Sequence, residues 1–111
     1  MNYKELIKTT LTPLGIKGAH LKYTGKAPTY YRFFRYNRNG LNWAENVEIE
    51  TGHYIQLDIF SKTDCSDLAE QAETLMIAAG FIRTGGGSRY EDDTDTYHES
   101  LDFLYEEDVS T

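Results

Sequence analysis

The segment 53–60, His53-Tyr54-Ile55-Gln56-Leu57-Asp58-Ile59-Phe60, constrains this chain more than any other. His53, Ile55, Leu57 and Ile59 fall on one face and Tyr54, Gln56, Asp58 and Phe60 on the other, which is the two-residue period of a β-strand. A face that apolar requires a covering layer, and aromatic residues on the second face favour a central place in a sheet. The covering layer follows at once. Residues 63–79 carry Leu68, Ala72, Leu75, Met76 and Ala79 on one helical stripe, with Asp64 as a candidate N-cap and Asp67 in the first turn. Gly80 supplies the left-handed residue that ends such a helix.

Residues 2–14 predict a second helix, with Leu6, Ile7, Leu11 and Leu14 at helical spacing and Asn2 capping the start three residues before Glu5. Pro13 shortens its last turn and Gly15 ends it. Residues 17–23 are mixed in pattern. The aromatic run 29–36 predicts a strand with Tyr31, Phe33 and Arg35 on one face and Tyr30, Arg32, Phe34 and Tyr36 on the other. Asn37-Arg38-Asn39-Gly40 reads as a turn, and residues 41–51, with Trp43, fit either a loop or a ragged strand. Residues 81–84 begin a further strand, Gly85-Gly86-Gly87 reads as a flexible or bulged stretch, and Arg89-Tyr90 resumes the strand. The acidic stretch from Glu91 to Asp95 reads as a hairpin turn. Tyr97, Leu101, Phe103 and Tyr105 then alternate with His98, Ser100, Asp102 and Leu104 as a final strand would, with a frayed tail over about 106–111. The expected order is helix, three strands, helix, two strands: an α+β fold whose helices pack on one face of a mainly antiparallel sheet.

At 111 residues and 12.7 kDa the chain fits one domain, 1–111, with a core small enough for a partner subunit to matter. No apolar run approaches the roughly 18–20 residues that cross a bilayer, and the N-terminal residues lack the apolar centre of a secretion signal, so no membrane association and a cytoplasmic location are expected. Cys65 is the only cysteine, which excludes an internal disulfide and a thiolate-based zinc site.

The formal charge of −7 argues against gripping a nucleic-acid backbone as the main task. That average conceals a division. Residues 1–44 hold Lys4, Lys8, Lys17, Lys22, Lys26, Arg32, Arg35 and Arg38 against Glu5 alone, a charge of +7; the remaining residues hold Lys62, Arg83 and Arg89 against 17 acids, a charge of −14. Either the halves pair within one fold, or opposite surfaces of one subunit meet on neighbouring copies and build a ring or filament.

Catalytic readings are thin. Pairing Cys65 with His20, His53 or His98 has no supporting spacing, and Cys65 reads as a small structural residue. Asp92, Asp93 and Asp95 have oxygen ligands for a hard cation but lack the glycine of an EF-hand loop, so a solvated turn explains them better. Asp58, Glu99 and Asp102 are candidates to meet across neighbouring strands as metal-nuclease carboxylates, although no spacing ties them together. Gly85-Gly86-Gly87 lacks the lysine and hydroxyl of a phosphate loop. Tyr30, Tyr31, Phe33, Phe34 and Tyr36 with Arg32 and Arg35 superficially match a base-stacking strand, but core packing and a subunit interface account for them at this net charge.

The run Tyr30-Tyr31-Arg32-Phe33-Phe34-Arg35-Tyr36-Asn37, then Trp43-Ala44-Glu45, then the segment 52–62, then a helix ending at Ala79-Gly80-Phe81, resembles the small tail-completion proteins of long-tailed, siphovirus-type phages and Gram-positive prophages. The likeness covers about residues 3–106. It implies a virion structural protein similar to tail terminators, in which several subunits, often six, close a ring on the end of the tail tube, stop its elongation and offer a joint to the head connector. Its implied partners are itself, the tail tube protein and the connector, with DNA only passing through the channel. Its implied location is the host cytoplasm during assembly and then the mature virion. A head-tail connector component and a minor tail protein share this size and fold. The resemblance implies no catalytic residue, metal or cofactor. On this reading Tyr30, Arg32, Phe34, Arg35, Tyr36 and Trp43 form the subunit interface, and Asp92, Asp93 and Asp95 form an acidic loop facing the channel. The readings from other classes are a monomeric protein-binding module docking through the aromatic strand, and a metal-dependent hydrolase built on Asp58, Asp92, Asp93 and Asp95.

Overall fold

The computed structural model describes residues 1–109. Helix α1 (Tyr3–Leu11) is followed by a 3-10 turn (Thr12–Leu14), strand β1 (Lys17–His20), strand β2 (Tyr30–Ala44), strand β3 (Val47–Ser61), helix α2 (Ser66–Ala78), strand β4 (Ile82–Glu91) and strand β5 (Thr96–Asp108). The strands form one sheet in the order β1-β2-β3-β5-β4, in which only the β1–β2 pair is parallel. This is the expected α+β order, with β3 at the centre.

Local chemistry sets the helix ends. The Asn2 side chain accepts from the Glu5 amide at 3.2 Å, and Pro13 tightens the chain into the 3-10 turn that Gly15 closes at φ +69°. The carboxylate of Asp64 accepts from both the amide and the hydroxyl of Ser66, so it caps α2 one residue earlier than a standard N-cap. Both helices lie on the same face of the sheet. There Ile7, Leu11, Ala72 and Met76 close over Phe33, Ile55, Leu57, Ile59, Leu101 and Phe103, all essentially without solvent contact. The opposite face has no helical cover.

Two sequence readings require correction, and the choice left open for residues 41–51 is decided for the strand. The turn expected at 37–40 lies inside β2. Irregular pairing between Arg35 and Asn37 and between Gly40 and Asn42 absorbs the turn-forming residues as bulges, and the chain reverses instead at Glu45 and Asn46, both left-handed at φ 53° and 66°. Residues 41–51 are therefore the far end of a long β2–β3 ribbon, part of a molecule 52 Å long and 24 Å across. The tail expected to fray from about residue 106 continues as β5 to Asp108, where Glu106, Glu107 and Asp108 pair with Gly52, Thr51 and Glu50. Ser110 and Thr111 lie outside the described residues. Gly85 to Gly87 do form a bulged stretch, with Gly86 at φ +132° against the Ser100 carbonyl.

Candidate functional site

Cross-strand register brings chemistry to the uncovered face. Tyr30, Phe60 and His98 stand opposite one another on β2, β3 and β5, as do Arg32, Asp58 and Ser100 in the next rung. The rings of Tyr23, Tyr30, Phe60 and His98 stack in succession, with centroids 4.3, 5.1 and 4.2 Å apart. Asp58 is fully buried beneath them. Its Oδ2 accepts from Arg32 Nη2 at 2.8 Å, its Oδ1 from His98 Nε2 at 2.8 Å, and both from Gln56 Nε2. Burial pushes the Asp58 carboxyl up, but the bonds from Arg32, His98 and Gln56 together hold it below its ordinary value. The Arg32 guanidinium lies over Phe60 and Phe34, and its buried Nε has no hydrogen-bond partner. On the far side of His98, Nδ1 is 3.1 Å from Arg89 Nε and 3.1 Å from Glu91 Oε1.

The six residues expected at a subunit interface do not share a surface. Tyr30, Arg32, Phe34 and Tyr36 lie on the uncovered face, where Arg32 is committed to Asp58. Arg35 lies on the helix side, where it bonds His53 Nδ1 at 3.0 Å and covers the Tyr3 ring. Trp43 is 58% exposed near the ribbon tip, beside exposed Leu41 and Val47. Asp92, Asp93 and Asp95 occupy the exposed β4–β5 turn as expected, with Asp95 accepting from the Tyr90 hydroxyl.

The catalytic groupings weighed from sequence do not assemble. Cys65 is buried, its thiol approaches the carbonyls of Ile59 and Tyr97, and burial followed by the charges of Glu99 and Asp64 raises its pKa. His20 bonds Tyr3, His53 bridges Arg35 and Glu107, and His98 serves Asp58. Glu99 pairs in register with Ile59 and so lies on the helix side of the sheet, opposite Asp58. Among the described residues no group of three or more His, Cys, Asp or Glu has metal-holding geometry, and no helix is long and apolar enough to cross a membrane.

Charge is sorted across the sheet. The β1 side carries α1 with Lys4 and Lys8, and β1 with Lys17; none of the three enters an ion pair among the described residues. Burial, and then the charges of Lys4 and Lys8, lower the pKa of His20. The β4 side carries α2 and the acidic turn. A concavity of about 300 Å³ between α2, β4 and β5 is lined by Glu70, Glu73 and Glu99, with Arg83 bound to Glu73 at 3.1 Å. The bond to Asp95, then burial and the charges of Asp95 and Asp92, push the Tyr90 hydroxyl up. Links across the division among the described residues include Arg32 to Asp58, Arg35 through His53 to Glu107, Asn42 to Glu50 and Thr29 to Ser61, with the N-terminal amine also reaching Glu107.

No protein-family model matches the chain, and no curated protein matches it.

Proposed function

We propose that this chain is a non-enzymatic assembly subunit of a phage tail that closes a ring at the end of the tail tube, stops elongation and offers a joint to the head connector. The observation that supports it is that Lys4, Lys8 and Lys17 on the β1 side, and Asp67 and Glu70 of α2 on the β4 side, enter no ion pair among the described residues. A ring needs two different complementary surfaces on every copy, and such an arrangement supplies them. The exposed turn holding Asp92, Asp93 and Asp95 would face the channel, where like charge keeps passing DNA from adhering. A head-tail connector component or minor tail protein would use the same two edges.

Absolute mass by light scattering across concentration and salt tests the ring. The expected result is a species several times the monomer mass that dissociates as salt shortens the Debye length from about 10 Å at 0.1 M to about 3 Å at 1 M. Lys8→Glu/Lys17→Glu and Asp67→Lys/Glu70→Lys should each be monomeric alone, and mixing them should restore an even-numbered ring in which the two alternate. A strict monomer at every concentration in low salt overturns the ring and favours the monomeric binding module.

A further inference from the structure

The two contacts at His98 Nδ1 are chemically incompatible with each other. His98 is 4% exposed and its Nε2 lies 2.8 Å from a carboxylate oxygen of Asp58, so Nε2 carries a hydrogen and donates. Arg89 Nε, 3.1 Å from Nδ1, can only donate and needs a lone pair there. Glu91 Oε1, also 3.1 Å away, can only accept when ionised and needs a hydrogen there. One nitrogen cannot satisfy both at once. A neutral ring accepts from Arg89; an imidazolium donates to Glu91.

We infer that His98 is a proton-operated clamp on the β4 edge, holding Arg89 when neutral and exchanging it for Glu91 when protonated. The surrounding groups make the choice local. From β2 and β3, Arg32, Gln56 and Asp58 are engaged with one another, and Phe60 stacks on the ring. From the β3–α2 connection, Lys62 bonds the Thr96 hydroxyl and the Thr94 carbonyl and shares a hollow with Lys26 and Glu91, while Asp64 and, from the helix side of β5, Glu99 line a concavity that also reaches His98. Nδ1 itself meets only the two β4 side chains, which flank exposed Tyr90 and lead into the acidic turn. Protonation therefore adds one positive charge to the acidic edge, draws Glu91 inward and releases a guanidinium to solvent. The inference stands apart from the tail reading, since it concerns the edge of a single subunit.

Nuclear magnetic resonance on the ¹⁵N-labelled full chain tests it through the His98 ring nitrogens and the Arg89 Nε–H across the titration. Nε2 should stay protonated throughout, and the Arg89 Nε–H should be protected from exchange above the His98 midpoint and lose that protection below it. Arg89→Gln should raise the midpoint and Glu91→Gln should lower it, each by roughly threefold or more in proton affinity. Both side chains sit on the edge strand, and the backbone amide spectrum verifies that each variant is folded. Opposite shifts together with the loss of Arg89 protection support the clamp. Unchanged midpoints, shifts of the same sign, or Arg89 protection that ignores the midpoint overturn it.

Discussion

Asp58→Asn isolates the ion at the centre of the uncovered face. The carboxylate is fully buried and accepts from three side chains, two of them at 2.8 Å. Asparagine keeps the volume but turns one acceptor oxygen into a donor, which then faces either Arg32 Nη2 or His98 Nε2. Removing one partner of a buried ion pair costs about 3–5 kcal/mol, and hydrogen bonds to charged groups run about 1.5–3 kcal/mol each. Arg32 keeps about a third of its side-chain surface in water and regains hydration when released, which puts the expected loss at the low end, about 3 kcal/mol. For a domain near 100 residues that is about 12 °C or more in midpoint. Urea unfolding at pH 7 followed by circular dichroism measures it, and Arg32→Met/Asp58→Asn should lose at least about 1 kcal/mol less than the two single changes added. Acid gives a second check. Because native Asp58 titrates below its ordinary 3.8, the unfolded chain binds its proton first as pH falls; the ion's contribution is complete above 3.8 and disappears as pH drops through the lowered native value. The gap between wild type and variant should shrink in that window. A variant within about 0.5 kcal/mol of wild type at pH 7 would refute the network's role.

Two further changes test the backbone. Gly86→Ala forces a side chain onto φ +132° and against the Ser100 carbonyl, whereas a Cβ on neighbouring Gly87 meets open space; thermal melts should show a loss of about 2 kcal/mol or more for the first and within about 0.5 kcal/mol of wild type for the second. Asn2→Ala removes the acceptor for the Glu5 amide and should cost about 1 kcal/mol by urea unfolding, while Asn2→Ser should recover most of it.

The layered fold was legible because burial leaves a period. Ile55, Leu57 and Ile59 alternate, Ala72 and Met76 recur at helical spacing, and these same residues close the core. The ribbon was not legible, because residues 41–49 pair with each other away from any core and carry no such period. The Asn37-Arg38-Asn39-Gly40 signal that favours reversal was taken up among bulges, and the reversal fell to Glu45 and Asn46. The network around Asp58 was half visible: Arg32, Asp58 and His98 each fell on the polar or outer alternation of a strand. What joins them is register between positions 26 and 40 residues apart, and no local pattern encodes that. The same gap put Glu99 beside Asp58 in one reading when the pleat sends it to the other face. Charge division was plain in the composition, but only the sheet order put Lys17 on one edge strand and the acidic turn beside the other.

The strand order also governs how the chain behaves as it leaves the ribosome. β4 is made before β5, yet β5 is its only neighbour in the sheet, so β4 waits without a partner until the strand that will sit between it and β3 has been made. A waiting strand rich in branched and aromatic residues would be a template for aggregation. This one carries Gly85, Gly86 and Gly87 at its middle, followed by Ser88 and Arg89, and holds little β-propensity of its own. The glycines that weaken β4 keep it from pairing with the wrong chain in that interval, and the register supplied by β5 then decides where it belongs.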